Sequence, residues 1–230
     1  MYKILSVGGS IIVPKDGFNI PFLKKFKTMI LRRVARGERF ILVAGGGRTA
    51  REYIGAARAL ARLNGRQLDE IGILGTKINA HFLRYVFDGF TPVDIVNDPT
   101  KKLSTTAPII IASGWKPGCS SDYDAVLLAK TYGVKEVFNL SNIEYVYDKD
   151  PAKYKNAKKI EKISWAAFRR DIVGNKWKAG KNAPFDPVAS RAAEKLGLKV
   201  YILKGGNLAE VGKALDGKKF KGTIIARRVG

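Results

Sequence analysis

The sequence predicts an α/β fold with a mostly parallel sheet covered on both faces by helices. Three observations lead there. Apolar runs of strand length alternate with helical stretches along the whole chain. Runs such as "KILSV" and "RFILVA" are apolar almost throughout, as strands buried on both faces require. Four of the predicted strands end in glycine or polar loops, where open α/β sheets place their ligands.

Residues 3–7, "KILSV", form the first strand and lead into Gly8-Gly9-Ser10. Between Ile20 and Ala35, Phe22, Phe26, Ile30 and Val34 recur every four residues, and Leu23 and Leu31 widen that stripe. The spacing predicts an amphipathic helix. "RFILVA" (39–44) is the second strand, followed by Gly45-Gly46-Gly47 and a helix over 48–63. Residues 68–87 predict another helix, with a glycine-containing break near its start. "APIIIAS" (107–113) is a strand. "GWKPGCSSDYDAVLLAK" (114–130) begins as a Pro-Gly turn and continues as a helix to about Tyr132. "EVFNLS" (136–141) is a strand, and 146–160 a polar loop or hairpin. Helices are predicted at 164–172 and, after Asp186-Pro187, at 186–196. A strand (199–204), a helix (207–215) and a last strand (222–228) complete the chain. The stretch 146–182 is the most polar and loop-rich, and is expected to be mobile.

The 230 residues suffice for one large domain or two small lobes around a core. No apolar stretch reaches the roughly 20 residues of a membrane span. The opening "MYKILSVGGSII" reads as a strand, not a signal peptide. A soluble, cytoplasmic protein is the simplest expectation. One cysteine excludes an internal disulfide framework, and with one histidine it argues against a Cys/His zinc site. The formal charge is +22, spread in short clusters such as "KKFK" and "KNAKK". Such a surface attracts anions. No helix-turn-helix, RNP or finger pattern accompanies it, so nucleic acid is not the expected partner.

The glycine loops carry the chemistry. Glycines at a strand-to-helix turn let backbone amides approach an anion, and the helix N-terminus adds free N–H groups and a partial positive charge. Together they cradle phosphate. Two such cradles in one α/β chain point to a reaction centre handling two phosphorylated groups. Neither matches the Walker pattern nor the dinucleotide GxGxxG fingerprint. For "PGCSSD", redox chemistry lacks a second thiol and a protein-built metal centre lacks ligand partners, which leaves phosphate.

The ordered set "VGGSIIVP", "VAGGGRTAREYI", "LDEIGI", "PGCSSDYDAVLLA", "LSNIEYVYDKDP", "FDPVASRAAEKLGLKV" and "GTII" resembles the amino-acid-kinase superfamily, most nearly its archaeal-type uridylate (UMP) kinases. The resemblance spans about residues 3–226. It implies a three-layer αβα sandwich, usually hexameric, in one domain (1–230). An acceptor-binding part would cover about 1–133 and an ATP-binding part about 134–230. It implies transfer of the γ-phosphoryl group of ATP, with Mg²⁺, to UMP in pyrimidine nucleotide biosynthesis.

Carried over residue by residue, Gly8, Gly9 and Ser10 would hold the transferring phosphates. Gly46 would face UMP, and Gly47 the ATP side. Arg51 would contact phosphate with its planar fork. Asp69 would bind the acceptor ribose. Trp115, Lys116, Pro117, Gly118, Cys119, Ser120 and Ser121 would line the UMP loop, with Asp122 organising the catalytic groups or capping the helix. Ser141, Asn142, Tyr147 and Asp150 would hold ATP. Glu144-Tyr145 departs from the usual Asp-Gly of the family. Ser6 stands where many members carry lysine, so Arg51, Mg²⁺ or a lysine of 153–159 must supply the cation. No metal ligand is assigned to protein side chains. Cys119 reads as a bystander and His81 as a helix-face residue. The competing readings are a same-fold kinase for another small phosphorylated acceptor and a non-catalytic nucleotide- or nucleic-acid-binding protein.

Overall fold

A computed structural model describes residues 1–174 and 183–228. The strands are β1 (Tyr2–Val7), β2 (Arg39–Ala44), β3 (Ile109–Ala112), β4 (Glu136–Ser141), β5 (Val146–Tyr147), β6 (Lys159–Ile160), β7 (Lys162–Ser164), β8 (Lys199–Lys204) and β9 (Thr223–Ala226). The helices are α1 (Gly9–Ile12), α2 (Ile20–Val34), α3 (Gly47–Leu60), α4 (Gly65–Val86), α5 (Ser121–Tyr132), α6 (Trp165–Ala167), α7 (Pro187–Leu196) and α8 (Leu208–Leu215). Seven strands form one sheet in the order β3-β2-β1-β4-β8-β9-β7, and β5 and β6 form a separate hairpin. Neighbours in the large sheet run parallel except β8 and β9.

Alternation along the strands sends successive side chains to opposite faces. Ile4, Ile41, Val43 and Ile110 enter one core with α5, α7, Trp165 and Phe185. Leu5, Phe40, Leu42 and Ile111 enter the other with α2, α4 and α8. The result is a three-layer αβα sandwich. Its helix ends follow local chemistry. Asn19 caps α2 by accepting from Phe22 N, with Pro21 in the first turn. Gly133 and Gly197 end α5 and α7 with φ of 68° and 63°, a left-handed bend that glycine enters without penalty.

Chain order fixes where a ligand can sit. From β1 the sheet grows to β2 on one side and to β4 on the other, so the switch point lies at β1. Its carboxyl end opens into Gly8, flanked by Gly45 after β2 and Ser141 at the end of β4.

The predicted elements recur, the 146–160 hairpin among them, with some differences. The expected break near the start of the 68–87 helix is absent, since α4 is a continuous 22-residue helix from Gly65. Asn64 and Gln67 close a reciprocal capping box there. Its glycines serve packing instead: a Cβ on Gly75 would come within 2.8 Å of Ala50 on α3. The 146–160 stretch is the β5–β6 hairpin. The expected helix at 164–172 is the short α6 passing into a π-helical turn, Phe168–Val173, preceded by the unanticipated β7. The last strand is shorter than expected. Of the polar stretch 146–182, residues 175–182 lie outside those described.

Candidate active site

The two glycine loops interlock. Gly8 N donates to Leu140 O at 2.8 Å, and Gly45 N donates to Val7 O at 3.0 Å, so each loop is pinned to the neighbouring strand end. A Cβ on Gly9 would lie 1.9 Å from Gly47 N, and one on Gly45 would lie 2.4 Å from Gly9 N. No side chain fits between them. Gly47 also has φ of +59°, which favours glycine. The two predicted cradles therefore form one continuous floor across the ends of β1 and β2.

Helix α4 holds this floor and the 114–121 loop together. Asn79 is buried, and its Nδ2 donates to Gly45 O at 2.7 Å and Gly46 O at 3.0 Å. Thr76 Oγ1 accepts from Gly114 N at 2.8 Å. Asp69 Oδ2 accepts from Gly118 N at 2.8 Å. Positions 69, 76 and 79 fall on one side of the helix at seven- and three-residue spacing. Asp69 thus stands beside the 114–121 loop. Thr76 and Asn79 escaped the sequence reading because an isolated polar residue in a helical pattern looks like solvent-facing surface.

Asp122 sits where the two halves of the sheet meet. Ser6 Oγ and Asn139 Nδ2 each donate to its Oδ1 at 3.2 Å, and Asp186 N donates to its Oδ2 at 3.3 Å. Burial pushes the Asp122 carboxyl up to about 7, and the Asp186 charge raises it further while these hydrogen bonds pull it down. Asp186 is buried and works twice. Its Oδ1 caps α7 through Val188 N (2.6 Å) and Ala189 N (2.8 Å). Its Oδ2 takes Ser120 Oγ at 2.6 Å and Ser120 N at 3.0 Å. Ser120 in turn caps α5 by accepting from Asp122 N at 3.1 Å. Ser120, not Asp122, is therefore the cap of α5: Asp122 lies in the first helical turn and turns its carboxyl to Ser6 and Asn139. Asp186 had been read only as the start of a helix.

The remaining predicted residues divide. Ser121 opens α5, and Trp115, Pro117 and Cys119 are half-buried along the loop. Lys116 Nζ lies 4.1 Å over the Trp115 ring. Burial, with Asp124 and Asp186 nearby, pushes the Cys119 thiol up to about 12, which keeps it protonated and unreactive. Arg51 is exposed on α3, one turn past Gly47. Arg48 beside it is held by Glu52 and by Lys15 O. Ser10 is half-buried. Ser141 Oγ accepts from Ile143 N at 3.3 Å, and Asn142 is exposed. Tyr147 is half-buried on β5, and Asp150 is spent on a turn, accepting from Ala152 N at 3.0 Å. Tyr145 is buried under Lys159, whose Nζ lies 4.9 Å from its ring centre. His81 is exposed on α4. Among the described residues no group of three His, Cys, Asp or Glu side chains could hold a metal ion, and no helix is long and apolar enough to cross a membrane.

A pinned double glycine floor, an acid network behind it and a three-layer α/β frame define a phosphoryl-handling protein of the kinase type. The model of the amino acid kinase family matches residues 1–204, and the chain belongs to that family. Within it the chain is similar to uridylate kinases of archaea. It is 31% identical to the Methanospirillum hungatei uridylate kinase, covering 97% of this chain and 94% of that one. With the Methanothrix thermoacetophila uridylate kinase it shares 32% identity over 94% and 96%. The crystal structure of uridylate kinase from Archaeoglobus fulgidus superposes with a TM-score of 0.81 at 29% identity, covering 98% of this chain and all of that one.

Proposed function

We propose that the protein is a UMP kinase, transferring the γ-phosphoryl group of ATP to UMP to give UDP and ADP, a step of pyrimidine nucleotide synthesis. The interlocked glycine floor carries this reading: it brings two anion cradles to one point, where two phosphorylated substrates must meet in line. The relatives' common name supplies the acceptor.

The chemistry follows from the residues. The acceptor phosphate is already anionic, so no base has to remove a proton. Backbone amides of Gly9, Ser10, Gly46 and Gly47 receive phosphate oxygens, and Arg51 offers a guanidinium to the ATP phosphates. The 114–121 loop, held by Asp69 and Thr76, encloses UMP. Asp122 orients Ser6 and Asn139 behind the reacting phosphates. The 134–230 part carries ATP on Ser141, Asn142, Tyr147 and Asp150. Mg²⁺ would enter as an ion carried on the triphosphate. It would neutralise developing charge there.

A homo-oligomer fits the surface. Tyr53 and Leu60 of α3 and Leu74, Ile78 and Tyr85 of α4 are all exposed. Large apolar side chains gathered on two packed helices suit a contact between copies.

ADP release with a panel of nucleoside monophosphates tests the activity. Turnover should require UMP, ATP and Mg²⁺ and should exceed that with AMP, CMP or GMP. Absence of UMP-dependent turnover sinks the reading. Tight, steeply salt-dependent oligonucleotide binding without turnover would favour a nucleic-acid-binding role instead.

A further inference from the structure

The first strand offers Ser6, not a cation, beneath the glycine loop, and Ser6 is committed to Asp122. Phosphoryl transfer still needs positive charge on the donor side. The lysines of the 153–159 segment do not reach the cavity described below. Lys159 is paired with Glu161 at 2.8 Å and covers Tyr145.

The end of β8 supplies what β1 lacks. Lys204 closes β8 directly opposite Ser141 in the β4–β8 register. Gly205 N donates to Ser141 O at 2.8 Å. A Cβ on Gly205 would come within 2.9 Å of Leu140 and 3.2 Å of Ile11, so the backbone after Lys204 is pressed against β4 and α1. Lys204 is thereby fixed beside the Ser141–Asn142 loop, with that strand end between it and Gly8–Ser10 in the sheet order. Its side chain is exposed and lines a cavity of about 690 Å³ together with Ser10, Lys25, Glu144 and Asn207. Among the described residues neither Lys204 nor Lys25 makes an ion pair. Glu144 is the acid on this lining, so the wall presents two cations to one anion.

We propose that Lys204, assisted by Lys25, is the donor-side cation that contacts the ATP phosphates beside Ser10. The lysine has moved from the first strand to the end of β8, two strands away, and reaches the same glycine loop from its open side. Lys204 is a flexible point charge and needs no planar geometry to follow a triphosphate. This assignment rests on the kinase reading above.

The test is steady-state kinetics of the full-length protein with Lys204→Met, Lys204→Arg and Lys25→Met, alongside calorimetric binding of ATP. Lys204→Met should lower kcat/KM for ATP about 10- to 100-fold, the worth of a charge-assisted phosphate contact. KM for UMP should stay within about twofold. Lys204→Arg should recover most of the loss, and Lys25→Met should cost roughly 3- to 10-fold. An unchanged kcat/KM for ATP in Lys204→Met overturns the proposal. So does an equal loss for UMP and ATP, which marks a structural role. If wild type shows no UMP-dependent turnover, the kinase reading fails by itself. ATP affinity then still decides: a drop in Lys204→Met supports the cation role, and unchanged binding rejects it.

Discussion

On the side proposed above for the acceptor, α4 reaches the loops through three side chains: Asp69 to Gly118, Thr76 to Gly114, and Asn79 to Gly45 and Gly46. On the donor side, the ends of β4 and β8 meet through backbone groups, Gly205 N to Ser141 O, while Asn142, Asp150 and Lys204 stand exposed. The acceptor loops are therefore held before a ligand arrives, and binding there spends little on ordering. Of the loops proposed for the donor, Gly8–Ser10 is pinned in the same way, and it is the Asn142 and Asp150 side chains that stand exposed. Such a division suits a site that must discriminate its acceptor by shape while holding a donor chiefly by charge.

The largest effect expected is at the joint between the two sides. Gly9→Ala forces a Cβ onto Gly47 N. A misplacement of about 1 Å can cost on the order of 100-fold in rate, and here both cradles move. Turnover should fall roughly 1000-fold or more. By contrast, Gly206→Ala on the donor side meets open space and should stay within about threefold. Similar losses at both positions would erase the contrast.

Asp122→Asn should come next. The amide keeps the shape but changes the charge and reverses one hydrogen bond, so kcat should fall about 100-fold while KM for UMP moves less than about threefold. Equal small effects would reduce Asp122 to a structural residue. Asn79→Ala probes the tether itself. It strands the Gly45 and Gly46 carbonyls and should cost about 1–3 kcal/mol in urea unfolding, with KM for UMP rising more than KM for ATP. The reverse order of KM effects would place Asn79 on the donor side.

The smallest effect is pH-dependent. Asp124 is 2% exposed, its Oδ1 lacks a partner, and burial pushes its carboxyl up to about 8. An acid raised in the folded state costs stability when ionised. The cost is absent below the unfolded value near 3.8, grows through the interval and is complete above about 8. Asp124→Asn should therefore stabilise the protein by about 1–2 kcal/mol at pH 9 and by nothing at pH 4, read from urea midpoints. A gain that does not depend on pH would show that ionisation is not the cause.

The glycine floor was legible in the sequence because strand-end glycines carry their own signal, a backbone approach that no other residue allows. Asp122 came only through the family resemblance, as an organising acid or a helix cap, and the cap falls to Ser120. The supports were not legible. Ser6 read as a missing lysine, yet it serves Asp122. Asn79 and Thr76 each needed a partner far away in sequence to acquire meaning. Asp186 marks only a helix start in the sequence, because its second partner, Ser120, lies 66 residues away. Gly75 read as part of a helix break because propensity scores the chain locally, whereas Ala50 on the facing helix decides what the glycine is for.

The double duty of Asp186 has a consequence for measurement. One oxygen caps α7 and the other holds Ser120, so the fraying of that helix and the order of the 114–121 loop share a free energy. The amides of Val188 and Ala189 should exchange with deuterium more slowly when the loop is occupied. They become a built-in isotopic gauge of what that loop binds, read from a neighbouring helix.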